Sequence, residues 1–463
     1  MKTLFKFFFL LSLTFSLLLS EQINIEKVSV RTSFENVKIS SDEDMGLMGL
    51  NYLLEPNDNF YYGVGLYGAV DGIRGGFFVG GFNLGLKYPI YSNLYLDAGA
   101  FIGGGGGGSA PQGGGLMLKS YLGGLYRFDN YSLGLNYSSI RFPNGDINSN
   151  QIALVADMKF DSISVDTPID RDLLKNYNFV NSKDYIVMTY QLYSPKEKTL
   201  KTDKTPLDET IKLLGIEYGT DISKDFIAYL EAAGAMGGDS TGYMEVLGGV
   251  GYTTDIISRD TALQVKVSLG SAGGGQVDTG GGLVSKASIN FNLNPIKNLN
   301  TGVGAGYYHA LEGDFDASFV KFNLGVNTNF LTISESKNDF DYDSISTQKF
   351  NIRLSLQSYQ YSDTLTQKNN NLDIGLFGFK LDYFIADKLY LSGQALGAFR
   401  GEAGGYAAGL FGLGYIQPIA YDFSLVAELG FGAGGGGSIE SGGGNILQPM
   451  AGLMYEINKS VSI

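Results

Sequence analysis

Few residues in this chain of 463 amino acids are equipped for covalent chemistry. The one histidine, His309, stands in "GYYHALEG" beside two tyrosines. A Ser–His–Asp relay would need this imidazole, but no nucleophile-elbow motif accompanies it. Its place at the end of an alternating stretch reads as an interfacial or loop histidine. Cysteine is absent, which removes thiolate nucleophiles, disulfides and a lipobox acylation site. "NDFDYDSIS" sets Asp339, Asp341 and Asp343 at alternate positions, as the opening of a calcium loop does. Ser344 stands where that loop needs glycine, however, and Phe350 where it needs glutamate. The segment reads as a solvated acidic connector. The glycine runs satisfy G-x-G-x-x-G trivially, with no helix behind them, and no G-x-x-x-x-G-K-[ST] occurs, so no phosphate cradle is expected. The expectation is a protein that is not an enzyme, with no metal and no cofactor.

One set of charges recurs. Asp97, Lys266 and Glu428 hold the same place in "LYLDAGAFIGGGGGGSAPQGGG", "LQVKVSLGSAGGGQVDTGGG" and "LVAELGFGAGGGGSIESGGG". Each lies on the polar face of a strand that runs into a glycine-rich hairpin. The first glycine runs include Gly106, Gly275 and Gly437, and the second begin at Gly113, Gly280 and Gly442, spaced by 167 and then 162 residues. A second landmark keeps nearly the same spacing: "LMGLNY" from Leu47, "LLGIEY" from Leu213 and "LFGFKL" from Leu376. Two landmarks in register predict three degenerate repeats, at 21–160, 183–330 and 348–463, the third cut short. Connectors fill 161–182 and 331–347. The three charges are candidate lumen residues, because a charge facing lipid is costly. They would tune permeant ions or hold a plug; the plainer reading is an ordinary solvated interior. The glycines would let strands bend or approach closely at one rim.

The elements that must position these residues are strands. In "ALQVKVSLG", Leu263, Val265, Val267 and Leu269 oppose Gln264, Lys266 and Ser268, the alternation of a half-buried strand. "KFNIRLSLQ" and "SLVAELGF" repeat it, and "IDRDLLKNY" is the best short helical exception. Eight strands are expected in the first repeat, eight in the second and six in the third, about 22 in all. Charged residues make up 17% of the chain, against about 25% in soluble domains. The net charge of −14 argues against a nucleic-acid partner.

Alternating strands of about ten residues, with Tyr and Phe at their ends, suit an antiparallel barrel closed in lipid. The expected fold is all-β, an up-and-down membrane barrel of about 22 strands. If the first strand runs outward, hairpin-length turns such as "EPNDN", "PIYSN" and "RFDNY" fall inside. The longer loops and the three glycine hairpins then fall outside. The N-terminus supplies Lys2 and Lys6 followed by an apolar run from Phe7 to Leu19, which reads as a cleaved signal peptide over residues 1–20.

With this signal, this alternation and no cysteine, the chain resembles the outer-membrane β-barrel proteins of diderm bacteria. It departs from them in ending "YEINKSVSI", where such barrels commonly finish on a Phe read by the assembly machinery. The resemblance implies residence in the cell outer membrane, with the lipid bilayer and the barrel-assembly machinery as partners. The first expected function is a passive, porin-like channel. The alternative is a structural scaffold or accessory factor of an envelope-spanning machine such as a flagellar motor, held by an envelope protein partner. A secreted all-β periplasmic scaffold or adhesin is the third.

Overall fold

The structure is a computed structural model that describes residues 23–40, 43–165, 171–197, 199–256, 261–296, 298–333, 340, 342, 345, 349–360, 373–458 and 461–462. The expected signal peptide, the acidic triplet Asp339, Asp341 and Asp343, and the terminal Ile463 lie outside the described residues.

Alternation in the sequence becomes strand after strand. A first group comprises β1 (Ile23–Ser40), β2 (Glu43–Asn57), β3 (Phe60–Asp71), β4 (Phe78–Tyr91), β5 (Leu94–Gly106), β6 (Leu116–Phe128), β7 (Tyr131–Arg141) and β8 (Asn148–Val165). After α1 (Arg171–Leu174) and β9 (Phe179–Asn181) come β10 (Asp184–Pro195), β11 (Ile211–Asp221), β12 (Phe226–Gly237), β13 (Met244–Asp255), β14 (Thr261–Gly273), β15 (Leu283–Leu293), β16 (Leu299–Ala310) and β17 (Asp316–Thr328). Beyond β18 (Leu331–Ile333) stand β19 (Phe350–Tyr359), β20 (Ile374–Phe384), β21 (Leu389–Arg400), β22 (Ala407–Ala420), β23 (Phe423–Gly435), β24 (Asn445–Asn458) and β25 (Val461–Ser462).

These strands do not form the single ring of about 22 expected from the sequence. β8 returns to pair with β1, opposing Asp157 to Arg31, and closes an eight-stranded barrel. β17 pairs with β10 in the same way, opposing Lys321 to Gln191, and closes a second. β19 to β25 form a separate open sheet. Alternation fixes which face of a strand points outward, but it does not say which earlier strand the last one will meet. Eight strands leave an interior just wide enough for side chains to fill.

The segments between the sheets are not plain linkers. β9 pairs with β18, and Leu174 of α1 and Phe179 of β9 are buried with Ile345 among Tyr177, Leu331, Phe340 and Tyr342. The helical exception in "IDRDLLKNY" is α1.

The three sheets touch in a closed cycle. The third strand of each meets the fifth strand of the next: β3 against β14, β12 against β23, and β21 against β5. The contacts are sealed by hydrogen bonds at one rim. Ser271 donates to the Ala69 carbonyl at 2.5 Å and Thr241 to that of Gly442 at 2.6 Å, while Gln112 donates to that of Gly404 at 3.0 Å.

Candidate functional site

Each sheet turns apolar side chains outward and charged ones inward. On β14, Val265, Val267 and Leu269 are about half exposed, while Gln264, Lys266 and Ser268 between them are buried. β19 exposes Phe350, Ile352, Leu354 and Leu356 in the same way. In water this arrangement would be inverted, since apolar burial is what drives folding there. The outer faces suit hydrocarbon.

Inside the first barrel, Asp97 on β5 accepts hydrogen bonds from Arg31 at 3.0 Å, Tyr61 at 2.8 Å and Asn136 at 2.9 Å. Arg31 also reaches Asp157 with two bonds, at 2.7 and 2.9 Å. Its guanidinium lies 5.0 Å from the centre of the Tyr61 ring. Lys87 bridges Glu55 at 2.6 Å and Asp157 at 3.1 Å. Glu35 gathers Lys119, Ser138 and Gln151. Strands β1, β2, β4, β5 and β8 contribute charges to the Arg31 network, and β1 and β6 supply the Glu35–Lys119 pair beside it.

The second barrel builds its network from three lysines and three glutamates. Lys266 on β14 donates to Glu217 at 2.5 Å and to the Tyr185 hydroxyl at 3.0 Å. Lys321 joins Glu217 to Glu231, both at 2.5 Å. Lys286 pairs with Glu231 and reaches Glu245 at 3.1 Å. In the open sheet, Glu428 on β23 accepts from Lys380 at 2.5 Å, Tyr390 at 2.9 Å and Ser392 at 3.0 Å. The three charges singled out in the sequence thus all lie on inner faces, each within its own sheet and each with partners.

Buried ion pairs of this kind give up hydration and recover it only through good geometry and further hydrogen bonds. The interiors supply both. Contrast the tight turn after β2, where the hydrogen bond from Lys27 holds the Asp58 carboxyl below its usual range. Both side chains there are mostly exposed, and such pairs contribute little.

A second layer closes each barrel toward the glycine rim. In the first, Tyr67, Phe77, Phe101, Met117, Ile140 and Phe142 pack together with almost no exposure. Tyr193, Leu213, Tyr243, Tyr308, Phe315 and Phe319 do so in the second. A cavity in the first barrel, lined by Arg31, Tyr67, Lys119 and Tyr121 among others, has room for about one water molecule.

The six expected hairpin glycines, Gly106, Gly113, Gly275, Gly280, Gly437 and Gly442, all adopt positive φ, from 55° to 137°. Close approach between sheets involves a glycine selected in the sequence and several others: a Cβ on Gly404 would stand 2.1 Å from the Gly113 oxygen. A Cβ on Gly76 would stand 2.2 Å from the Gly274 nitrogen, and one on Gly397 would stand 2.5 Å from the Gly104 oxygen. Here one barrel's backbone lies directly against its neighbour's.

His309 is exposed at the end of β16, with Nδ1 2.6 Å from Asp316. Among the described residues no group of His, Asp or Glu is arranged to hold a metal ion. Sequence reading named one charge per sheet and missed the partners Arg31, Glu217, Lys321 and Lys380. They stand on the polar faces of their strands, so alternation marks them as inward, but only the closure of each barrel decides which of them meet.

No family model matches the chain, and no curated protein matches it. The solved structures to which it is similar include the following three. OccAB3 of Acinetobacter baumannii is 11% identical, with 93% of this chain and 99% of that one covered and a TM-score of 0.25. The outer membrane protein opdK of Pseudomonas aeruginosa is 9% identical, with 92% and 98% covered and a TM-score of 0.24. OccK8 (OprE) of the same organism is 11% identical, with 89% and 95% covered and a TM-score of 0.23.

Proposed function

We propose that this chain is a non-enzymatic outer-membrane β-barrel protein that works as a membrane-embedded scaffold, three degenerate repeats side by side in one polypeptide. The observation that carries the reading is the pairing of apolar exteriors with filled interiors. Two closed barrels present Leu, Val, Ile, Phe and Tyr to their surroundings while ion networks and apolar layers occupy their lumens. Such bodies hold a place in a bilayer and present rims and connectors to an envelope partner. The barrel-assembly machinery would insert them, after export by the N-terminal signal.

A passive, porin-like channel is the second reading, and the open third sheet favours it. There Asn351, Arg353, Ser355 and Gln357 line an inner face that stays half-buried. Asp97, Lys266 and Glu428 act as lumen charges in either reading. The test has two readouts on the purified full chain. A bilayer-restricted label should modify cysteines placed at Val265, Leu354 and Leu429 and spare one at Ser268. In planar bilayers the scaffold gives no stepwise conductance, whereas the channel does. Absence of labelling at all three outward positions would remove both readings in favour of a secreted or periplasmic body.

A further inference from the structure

Among the described residues β19 is paired along one edge only, with β20. Beyond β23, β24 meets only the two-residue β25, through Glu456–Ser462 and Asn458–Val461. In the closed barrels the corresponding gap is filled by two strands, β7 and β8 or β16 and β17. Backbone groups left unpaired in hydrocarbon cost several kcal/mol each, at order of magnitude. First and sixth strands of such a sheet run antiparallel, so a pair of strands joined by a tight turn fits between them.

Register specifies the chemistry of the missing neighbour. Asn51 and Lys380 stand at the fifth position of "LMGLNY" and "LFGFKL". Their partners on the first strand are Arg31 and Arg353. Arg31 faces Asp157 across its other edge, and its side chain is 5% exposed. Among the described residues Arg353 has no strand on that side, and its side chain is 27% exposed. It is held by Asp382 at 2.6 Å, whose second oxygen, Oδ1, is buried without a partner. A second copy's β24 would bring Gln448 and Met450 inward along its middle, with a carboxylate, Glu456, only at its end beside β25.

We propose that the free edges of β19 and β24 are an interaction surface for a β-hairpin of a partner polypeptide, apolar on its outer face, with an inward carboxylate opposite Arg353. Main-chain hydrogen bonds supply the affinity and the alternating side chains the selectivity, as in strand addition to a sheet edge. The hairpin's outer face rests on the membrane reading; its ladder and its charge pair do not.

The probe is a synthetic peptide of this chain's own residues Tyr131–Val165, which forms β7, turn and β8 and carries Asp157. The chain has no native cysteine, so disulfides report single positions. Thr32 faces Ala156 across the β1–β8 ladder, and Leu354 holds the place of Thr32. With the full-length Leu354→Cys chain in detergent micelles, an Ala156→Cys peptide should form a disulfide and a Phe160→Cys peptide should not. Phe34 faces Leu154 likewise, so Leu356→Cys with Leu154→Cys repeats the test should the first variant fold poorly. Arg353→Glu should lower the yield about tenfold, the scale of a charged hydrogen bond, and Asp157→Arg in the peptide should restore it. Equal yields from both registers, or indifference to the charge exchange, would overturn the proposal. So would a disulfide between two Leu354→Cys chains, which would make the occupant a second copy, or closure of the gap by further residues of the same chain. A chain that labels from lipid but fails here removes this inference alone.

Discussion

At the scale of single residues, the interior charges divide into those legible in the sequence and those that are not. Asp97, Lys266 and Glu428 announce themselves by recurring at one place beside a glycine hairpin. Their oppositely charged partners do not recur, because Arg31 serves Asp97 from β1 while Glu217 serves Lys266 from β11, although a tyrosine does, Tyr61 on Asp97 and Tyr390 on Glu428. The network in each sheet is composed differently on a shared frame. Glu217 is the member whose loss should be felt most in the second barrel, since it holds both Lys266 and Lys321. Glu217→Gln leaves two buried ammonium groups short of a counter-charge and should destabilise the protein by about 3–5 kcal/mol. Urea unfolding in detergent micelles measures it. On the outer face of β14, the strand that carries Lys266, Leu269→Arg should cost about 2–4 kcal/mol in a bilayer and little in micelles with short chains, which separates a lipid-facing position from a buried one. Ser268→Ala, one residue earlier, should change stability little in either.

At the scale of the element, the sequence was read most successfully where one element carries its own signal. Strands such as "ALQVKVSLG" and turns such as "RFDNY" are local, and they form where alternation and turn residues put them. The glycine runs were legible as rim hairpins but not as contacts. Nothing local says that the loop at Gly76 lies against the run at Gly274, nearly 200 residues away. That contact predicts a specific failure. With a protease site inserted between Val165 and Arg171 and then cut, the two halves of the chain should stay together in mild detergent. Gly76→Val combined with Gly397→Val places side-chain atoms where the Gly274 and Gly104 backbones already stand, on both seams that join the first barrel to the other sheets, and the halves should part while each barrel keeps its own ladder. Gly393→Ala is the control, since its Cβ meets nothing within 4 Å. Native mass spectrometry after cleavage distinguishes the outcomes. Halves that separate without the substitutions would show that the glycine contacts do not hold the barrels together.

At the scale of the whole molecule, closure was beyond the sequence for a physical reason. A strand of a 22-stranded wall and a strand of an eight-stranded barrel carry the same two-residue period, and both want apolar residues out and polar residues in. They differ in what fills the lumen, and that is visible only once Asp157 is seen opposite Arg31 and Lys321 opposite Gln191. Closure at eight has a thermodynamic consequence that one large ring would not have. Each barrel completes its own ladder and its own ion network, so each should unfold as its own cooperative unit, coupled to its neighbours only through the glycine rim. The chain contains neither tryptophan nor cysteine, so one introduced Trp reports one barrel against no background. Leu133→Trp on β7 and Leu230→Trp on β12, both outward-facing, should give two distinct urea midpoints in the same preparation. Adding Glu217→Gln should then lower the midpoint seen from position 230 and leave that seen from position 133 in place. A single midpoint shared by both reporters, and moved as one by a charge deleted from the second barrel, is what a continuous wall of strands would give.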